Sequence, residues 1–194
     1  MADPKGRGMQ NVVDNRNPYN RVYAKPLSDD ENRLLDRVDL SRIPRLPILD
    51  VACGYGRNGL YFVRHGYRVV FIDHDERALR DIRDRTDVDQ DLIRVLKLEL
   101  CNYEHRIPDR SCGGVILCDY YDDMVVQDLI SMVAPGGFLL IKTPGNRGDS
   151  WKGKPEFMAV AHSIEDSFDI VYHHERTCKK NPRYASLSLL AYRR

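Results

Sequence analysis

Between residues 46 and 142 the chain repeats one pattern. A short apolar run stops at a glycine or an acid, and a stretch with apolar residues at helical spacing follows. The runs Leu46–Val51, Arg68–Ile72, Leu92–Leu98, Val115–Cys118 and Phe138–Lys142 read as buried strands. Between them, Asn58–His65 reads as a helix closed by Gly66. Asp75 caps a second helix with the stripe Ala78, Leu79 and Ile82, and Asp122–Val133 forms another, stopped by Ala134-Pro135-Gly136-Gly137. Pro155–Asp166 is a further helix, and Phe168–His173 with Ser186–Tyr192 alternate like a late antiparallel pair. Strands alternating with helices predict an open, mostly parallel sheet of seven strands with helices on both faces. Upstream, residues 1–17 are polar and aperiodic and read as a flexible tail. Ser28 and Glu31 form a capping box for a helix at about 29–38, and residues 18–194 are expected to be a single domain.

Composition narrows the classes. With 194 residues, 42% hydrophobic and 30% charged, the chain has ordinary globular make-up and can bury its own core. No apolar run nears the ~18 residues of a membrane span. The start, MADPKGRGMQ, has no apolar signal region, so a cytoplasmic address is expected. The five cysteines (Cys53, Cys101, Cys112, Cys118 and Cys178) include no C-x-x-C pair, which argues for reduced thiols and no metal site. Net charge is +1, but unevenly spread. Residues 48–141 carry 11 Lys/Arg against 16 Asp/Glu, and residues 142–194 carry 10 against 6. That leaves an anionic substrate possible near the C-terminal segment.

In such sheets ligands sit outside the carboxyl ends of the strands, so the residues just after each strand matter most. After the first come Asp50 and then Gly54, Gly56 and Gly59, which spell the dinucleotide pattern G-x-G-x-x-G, with Asp73 17 residues after Gly56. Asp50 at the strand mouth would repel a pyrophosphate and suits an ammonium group instead, or else it caps a local N–H. Asp73 suits ribose hydroxyls, which both NAD and S-adenosylmethionine carry. Glu99 and Leu100 suit an adenine edge and face. Asp119, Tyr120, Tyr121, Asp122 and Asp123 place two aromatics among three carboxylates, or form a capped helix start.

The stretches LDVACGYGRNGLYFVRHGYRVVFIDHDERAL, LKLEL, GGVILCDYY and MVAPGGFLLIKTP, with FDIVYHHE and YASLSLLAYRR, resemble the class I S-adenosylmethionine-dependent methyltransferases. ACGYGRN and IDHDE look closest to the small tellurite-resistance-type members. The resemblance implies a Rossmann-like α/β fold with a C-terminal antiparallel strand pair, S-adenosylmethionine (SAM) as cofactor and S-adenosylhomocysteine as product. It implies that Asp50 lies near the methionine amino group, that Gly54 and Gly56 pass under the cofactor, and that Arg57 and Asn58 stand at the helix start. Asp73 is the ribose acid with His74 beside the adenine, Glu99 and Leu100 are the adenine-edge pair, and Asp119 and Tyr120 face the methyl group. Ala52 stands where the family usually has glycine, and Gly59 is read as just a small residue of the first helix. Asp122 and Asp123 replace basic or mixed residues, which puts any carried-over substrate in doubt.

Methyl transfer by in-line displacement to a small-molecule acceptor is therefore expected, with Asp119 and Tyr120 as the catalytic candidates. Tyr121, His162, His173 and His174 are further candidate bases. Tyr19 and Tyr23 could shield the sulfonium as part of a lid, or simply pack the arm. An RNA or protein methyltransferase, a non-catalytic SAM-binding module and an NAD oxidoreductase are the competing readings. The absence of a dense Lys/Arg run speaks against nucleic acid. Oligomeric state is not written in these patterns.

Overall fold

The computed structural model describes residues 34–100, 107–120, 122–146, 157–177 and 184–194. The chain order is β1 (Ile48–Val51), α1 (Arg57–Arg64), β2 (Val69–Asp73), α2 (Glu76–Arg83), β3 (Ile93–Lys97), β4 (Cys112–Cys118), α3 (Asp123–Met132), β5 (Val133–Asn146), α4 (Phe157–Ile164), β6 (Phe168–Thr177) and β7 (Tyr184–Arg193). The seven strands form one sheet in the order β3-β2-β1-β4-β5-β7-β6. All pairs up to β4–β5 are parallel, and β7 runs antiparallel to both its neighbours. Connections reverse direction between β1 and β4, so a crevice opens outside the carboxyl ends of these two strands.

Alternation along the strands divides the core in two. Ile48, Val69, Phe71, Ile116, Phe138 and Leu140 face α1, α2 and the helical turn at Leu34–Leu35. Leu49, Val51, Ile72, Val115, Leu117, Leu139 and Ile141 face α3 and α4. This is the two-sided burial that makes a parallel strand read as a continuous apolar run. The helices follow their sequence signals. Asp75 accepts from the Arg77 N–H at the start of α2, whose buried stripe is Ala78, Leu79 and Ile82. Asp122 accepts from the N–H groups of Met124 and Val125, and so caps α3. Gly66 takes φ +80°, the left-handed geometry that ends α1.

Boundaries depart from expectation where tertiary pairing extends a strand. β4 begins at Cys112 and not at Val115, because Cys112 pairs with Val133. The chain then swings out at Ala134–Gly137, with Gly136 at φ +78°, before pairing resumes between Gly114 and Phe138. β5, β6 and β7 all run longer than their alternating cores, held by a continuous ladder from Phe138–Tyr192 to Asn146–Tyr184. The expected tail, the Ser28–Glu31 capping box, Tyr19, Tyr23, Tyr121, Cys101 and Cys178 lie outside the described residues. No described helix is long and apolar enough to cross a membrane.

Candidate functional site

The site grows from the loop after β1. Ala52, Gly54 and Gly56 all take positive φ (+53°, +52° and +73°), so the chain winds through three left-handed residues within five positions. Such geometry suits glycine, and Ala52 adopts it at a cost of roughly 1 kcal/mol. Backbone bonds hold the winding: Cys53 N–H donates to Ile72 O (3.0 Å) and Gly56 N–H to Cys53 O (2.9 Å).

Two carboxylates then lock the loop. Asp73, 6% exposed at the end of β2, accepts from the Gly54 N–H at 2.7 Å with one oxygen and from the Asp75 N–H at 2.9 Å with the other. Exposed His74 sets its Nδ1 3.2 Å from Asp73 Oδ1. Asp50, 1% exposed, accepts from the Gly59 N–H at 2.8 Å, in the first turn of α1. Burial pushes the Asp50 carboxyl up to about 7, and nearby Asp73 adds to this, while the Gly59 N–H and the Arg57 charge oppose it. An anionic carboxylate here lacks a full counter-charge, so the pocket favours a cation.

This geometry shows why the small residue at position 59 of α1 is glycine. A Cβ there would lie 2.4 Å from a Phe71 ring carbon and 2.8 Å from Asp50 Oδ2. No larger residue lets α1 approach β1 and β2 this closely and still present its N–H to Asp50. Gly56 is equally constrained, since a Cβ would meet Ile82 at 2.7 Å. Gly54 differs: nothing lies within 4 Å of where its Cβ would be. The side of the loop at Gly54 is therefore open, and a ligand can lie against the backbone there.

The other candidates lie on neighbouring strand ends, helix starts and strands. Leu98 N–H donates to Asp73 O, which sets exposed Glu99 and half-buried Leu100 just beyond Asp73. Arg57 is exposed and Asn58 half-buried at the start of α1. Asp119 takes φ +60° at the end of β4, and its N–H donates to Lys142 O at 2.7 Å. Tyr120, expected at the mouth and not in the core, packs partly against the α3–α4 cluster. Asp122 spends its carboxylate on the α3 cap. His162, His173 and His174 are exposed. Cys53 and Cys112 are buried, and burial raises the Cys53, Cys112 and Cys118 thiols, which keeps them protonated and unreactive. Among the described residues, no group of three or more His, Cys, Asp or Glu is arranged to hold a metal ion.

The bonding pattern separates two ligand chemistries. A dinucleotide fold offers free helix N–H groups to a pyrophosphate. Here a carboxylate already occupies the first turn of α1, and a second stands beside it on the same sheet face. The described bonds leave carboxylate oxygens, and not the Gly59 N–H, available at this loop.

Comparison with known proteins agrees. Residues 48–137 match the family description of a methyltransferase domain. No curated protein matches the sequence. Geranyl diphosphate C-methyltransferase from Streptomyces coelicolor A3(2), solved with Mg2+, geranyl diphosphate and S-adenosyl-L-homocysteine, aligns with a TM-score of 0.65 at 11% identity, covering 85% of this chain and 77% of that one. An S-adenosylmethionine-dependent methyltransferase from Mesorhizobium loti aligns at 0.64 and 17% identity, covering 86% and 98%. TehB from Haemophilus influenzae aligns at 0.61 and 15%, covering 91% and 66%. Residues 48–137 thus match a methyltransferase domain, within a chain that has the fold of the class I, S-adenosylmethionine-dependent methyltransferases.

Proposed function

We propose that the chain transfers a methyl group from SAM to a small-molecule acceptor. One observation carries the cofactor choice: the loop at Ala52–Gly56 is tied by Asp73 and flanked by the buried Asp50, and it opens at Gly54. SAM bears an ammonium and a sulfonium, which suit a pocket walled by carboxylates. Similar folds have been solved with SAM, S-adenosylhomocysteine or sinefungin, which supports the same cofactor here.

Bound SAM supplies an electrophilic methyl group and a neutral thioether leaving group. The chain's own residues then have distinct duties. Asp50 takes the ammonium through the oxygen not spent on Gly59. Asp73 keeps Gly54 in place and still has lone pairs for the ribose hydroxyls, with His74 beside it. Glu99 and Leu100 border the adenine, and Arg57 and Asn58 the carboxylate end. Asp119 and Tyr120, after β4, are our candidates for the residues facing the methyl; Asp119 would take the proton of an amine or hydroxyl acceptor, and a soft anion would need no base. We take residues 18–194 as one catalytic domain and, from the buried reduced thiols, the cytoplasm as its compartment.

Calorimetry with SAM, S-adenosylhomocysteine and NAD tests this reading. Both sulfur ligands are expected to bind and NAD not to; failure of both sulfur ligands would sink it. Asp73→Ala should weaken SAM by about 100-fold, the loss of two charge-assisted contacts.

A further inference from the structure

Strand register draws a line of side chains from the cofactor acids toward the far edge of the sheet. Cys118 of β4 stands opposite Lys142 of β5, Lys142 opposite Ser188 of β7, and Ser188 opposite His174 of β6. Paired residues share a face. This is the face of Asp50, because Cys118 and Tyr172 pack into the cluster that includes Phe71 and Ile116, the cross-strand partners of Asp50. At ~4.8 Å per strand, the line runs about 14 Å from Cys118 to His174. Lys142 and Ser188 are half-buried and His174 is exposed.

The charges along this line change sign. Burial raises the Cys118 thiol most, the charges of Asp50 and Asp119 add to the rise, and those of Lys142 and Arg57 oppose it. Beyond Lys142 the neighbourhood turns basic. The His174 ring stacks 6.4 Å from Tyr172, and the Arg37 guanidinium lies 4.3 Å from the centre of that same ring. Of the ten Lys/Arg in residues 142–194, Lys142 lies on this line.

We propose that Lys142, Ser188 and His174 bind the methyl acceptor, and that this acceptor carries an anionic oxygen group, a phosphate or a carboxylate. The proposal rests on the methyltransferase reading. An anion drawn to Lys142 is repelled by Asp50 and Asp119, so the acceptor lies with its charge outward and its nucleophilic end toward the cofactor. Ser188 adds a hydroxyl donor between Lys142 and the His174 imidazole in the strand register.

The experiment titrates protein saturated with S-adenosylhomocysteine with inorganic pyrophosphate and, separately, with acetate. One or both should bind measurably at low ionic strength, and the better probe identifies the acceptor's group. Lys142→Gln and His174→Gln should each weaken that binding about tenfold, Lys142→Arg should restore most of it, and S-adenosylhomocysteine affinity should stay within about twofold. Binding of neither probe, or equal binding by wild type and both glutamine variants, overturns the proposal. Should Lys142→Gln not fold, exposed His174→Gln decides alone. Failure of S-adenosylhomocysteine to bind wild type instead counts against the methyltransferase reading, and the two probes are then compared on the free proteins with the same expectations.

Discussion

On the β1–β2 side of the strand-end surface, contacts are short in sequence and made to backbone. Asp50 reaches Gly59 nine residues on, and Asp73 reaches back nineteen to Gly54. On the β5–β7 side they are long. The Lys142–Ser188–His174 line exists only through pairing across three strands, and where β7 meets the beginning of the β5 ladder, at Phe138, the Tyr192 hydroxyl takes the N–H of Asp39, 153 residues away. The first side is a preformed cradle, specified by a few glycines and acids. The second is a surface whose chemistry can change one side chain at a time without disturbing the loop. A cofactor site that must stay constant and an acceptor site that must vary fit these two kinds of construction.

The largest effect is expected at Gly59. Gly59→Ala puts a methyl into Phe71 and Asp50, and should destabilise the fold by about 3 kcal/mol in denaturant titrations, with loss of SAM binding. A change below about 1 kcal/mol would show that α1 can slide and that the cradle is not preformed.

Asp50→Asn comes next. The folded carboxyl holds its proton to about pH 7, against an ordinary value of 3.8. The folded state therefore binds more protons between these limits, and stability falls as pH rises through them. The variant should remove that fall and be more stable than wild type at pH 8 by roughly 2 kcal/mol. It should also bind SAM about tenfold more weakly, and lose the rise in SAM affinity that wild type shows between pH 5.5 and 7.5. Unchanged SAM affinity would reduce Asp50 to a helix cap.

Tyr192→Phe probes the long-range contacts where β7 meets Phe138, away from the strand-end surface, and should have the smallest effect. It leaves the Asp39 N–H without its partner, costing about 1 kcal/mol in thermal or chemical denaturation. S-adenosylhomocysteine affinity should not move. If it does, the two sides are coupled and the division drawn above fails.

The division also explains what could be read in the sequence. The parallel strands were legible because burial on both faces leaves continuous apolar runs, and the loop acids because each follows its strand directly. What Gly59 must be small for was not legible, because the space it leaves empty belongs to Phe71, twelve residues away in the chain. That part of the Tyr120 side chain packs against the α3–α4 core was not legible either, since that contact is set by the fold. Asp122 had two readings, and only the geometry of the α3 start shows the carboxylate on Met124 and Val125. The Lys142–Ser188–His174 line was not legible, since register is set by nonlocal pairing and by the shift between Ile170 and Tyr172.

The sheet order carries a consequence for how the molecule is made. β7 is last in sequence, yet it lies between β5 and β6. As the chain leaves the ribosome, β5 offers an unpaired apolar edge and β6 has no partner until residues 184–193 emerge. Synthesis that stalls before Tyr184 would thus release a protein with an intact cofactor loop and a sticky, half-closed sheet. The last ten-residue strand to appear is the one that makes the protein safe in a crowded solution.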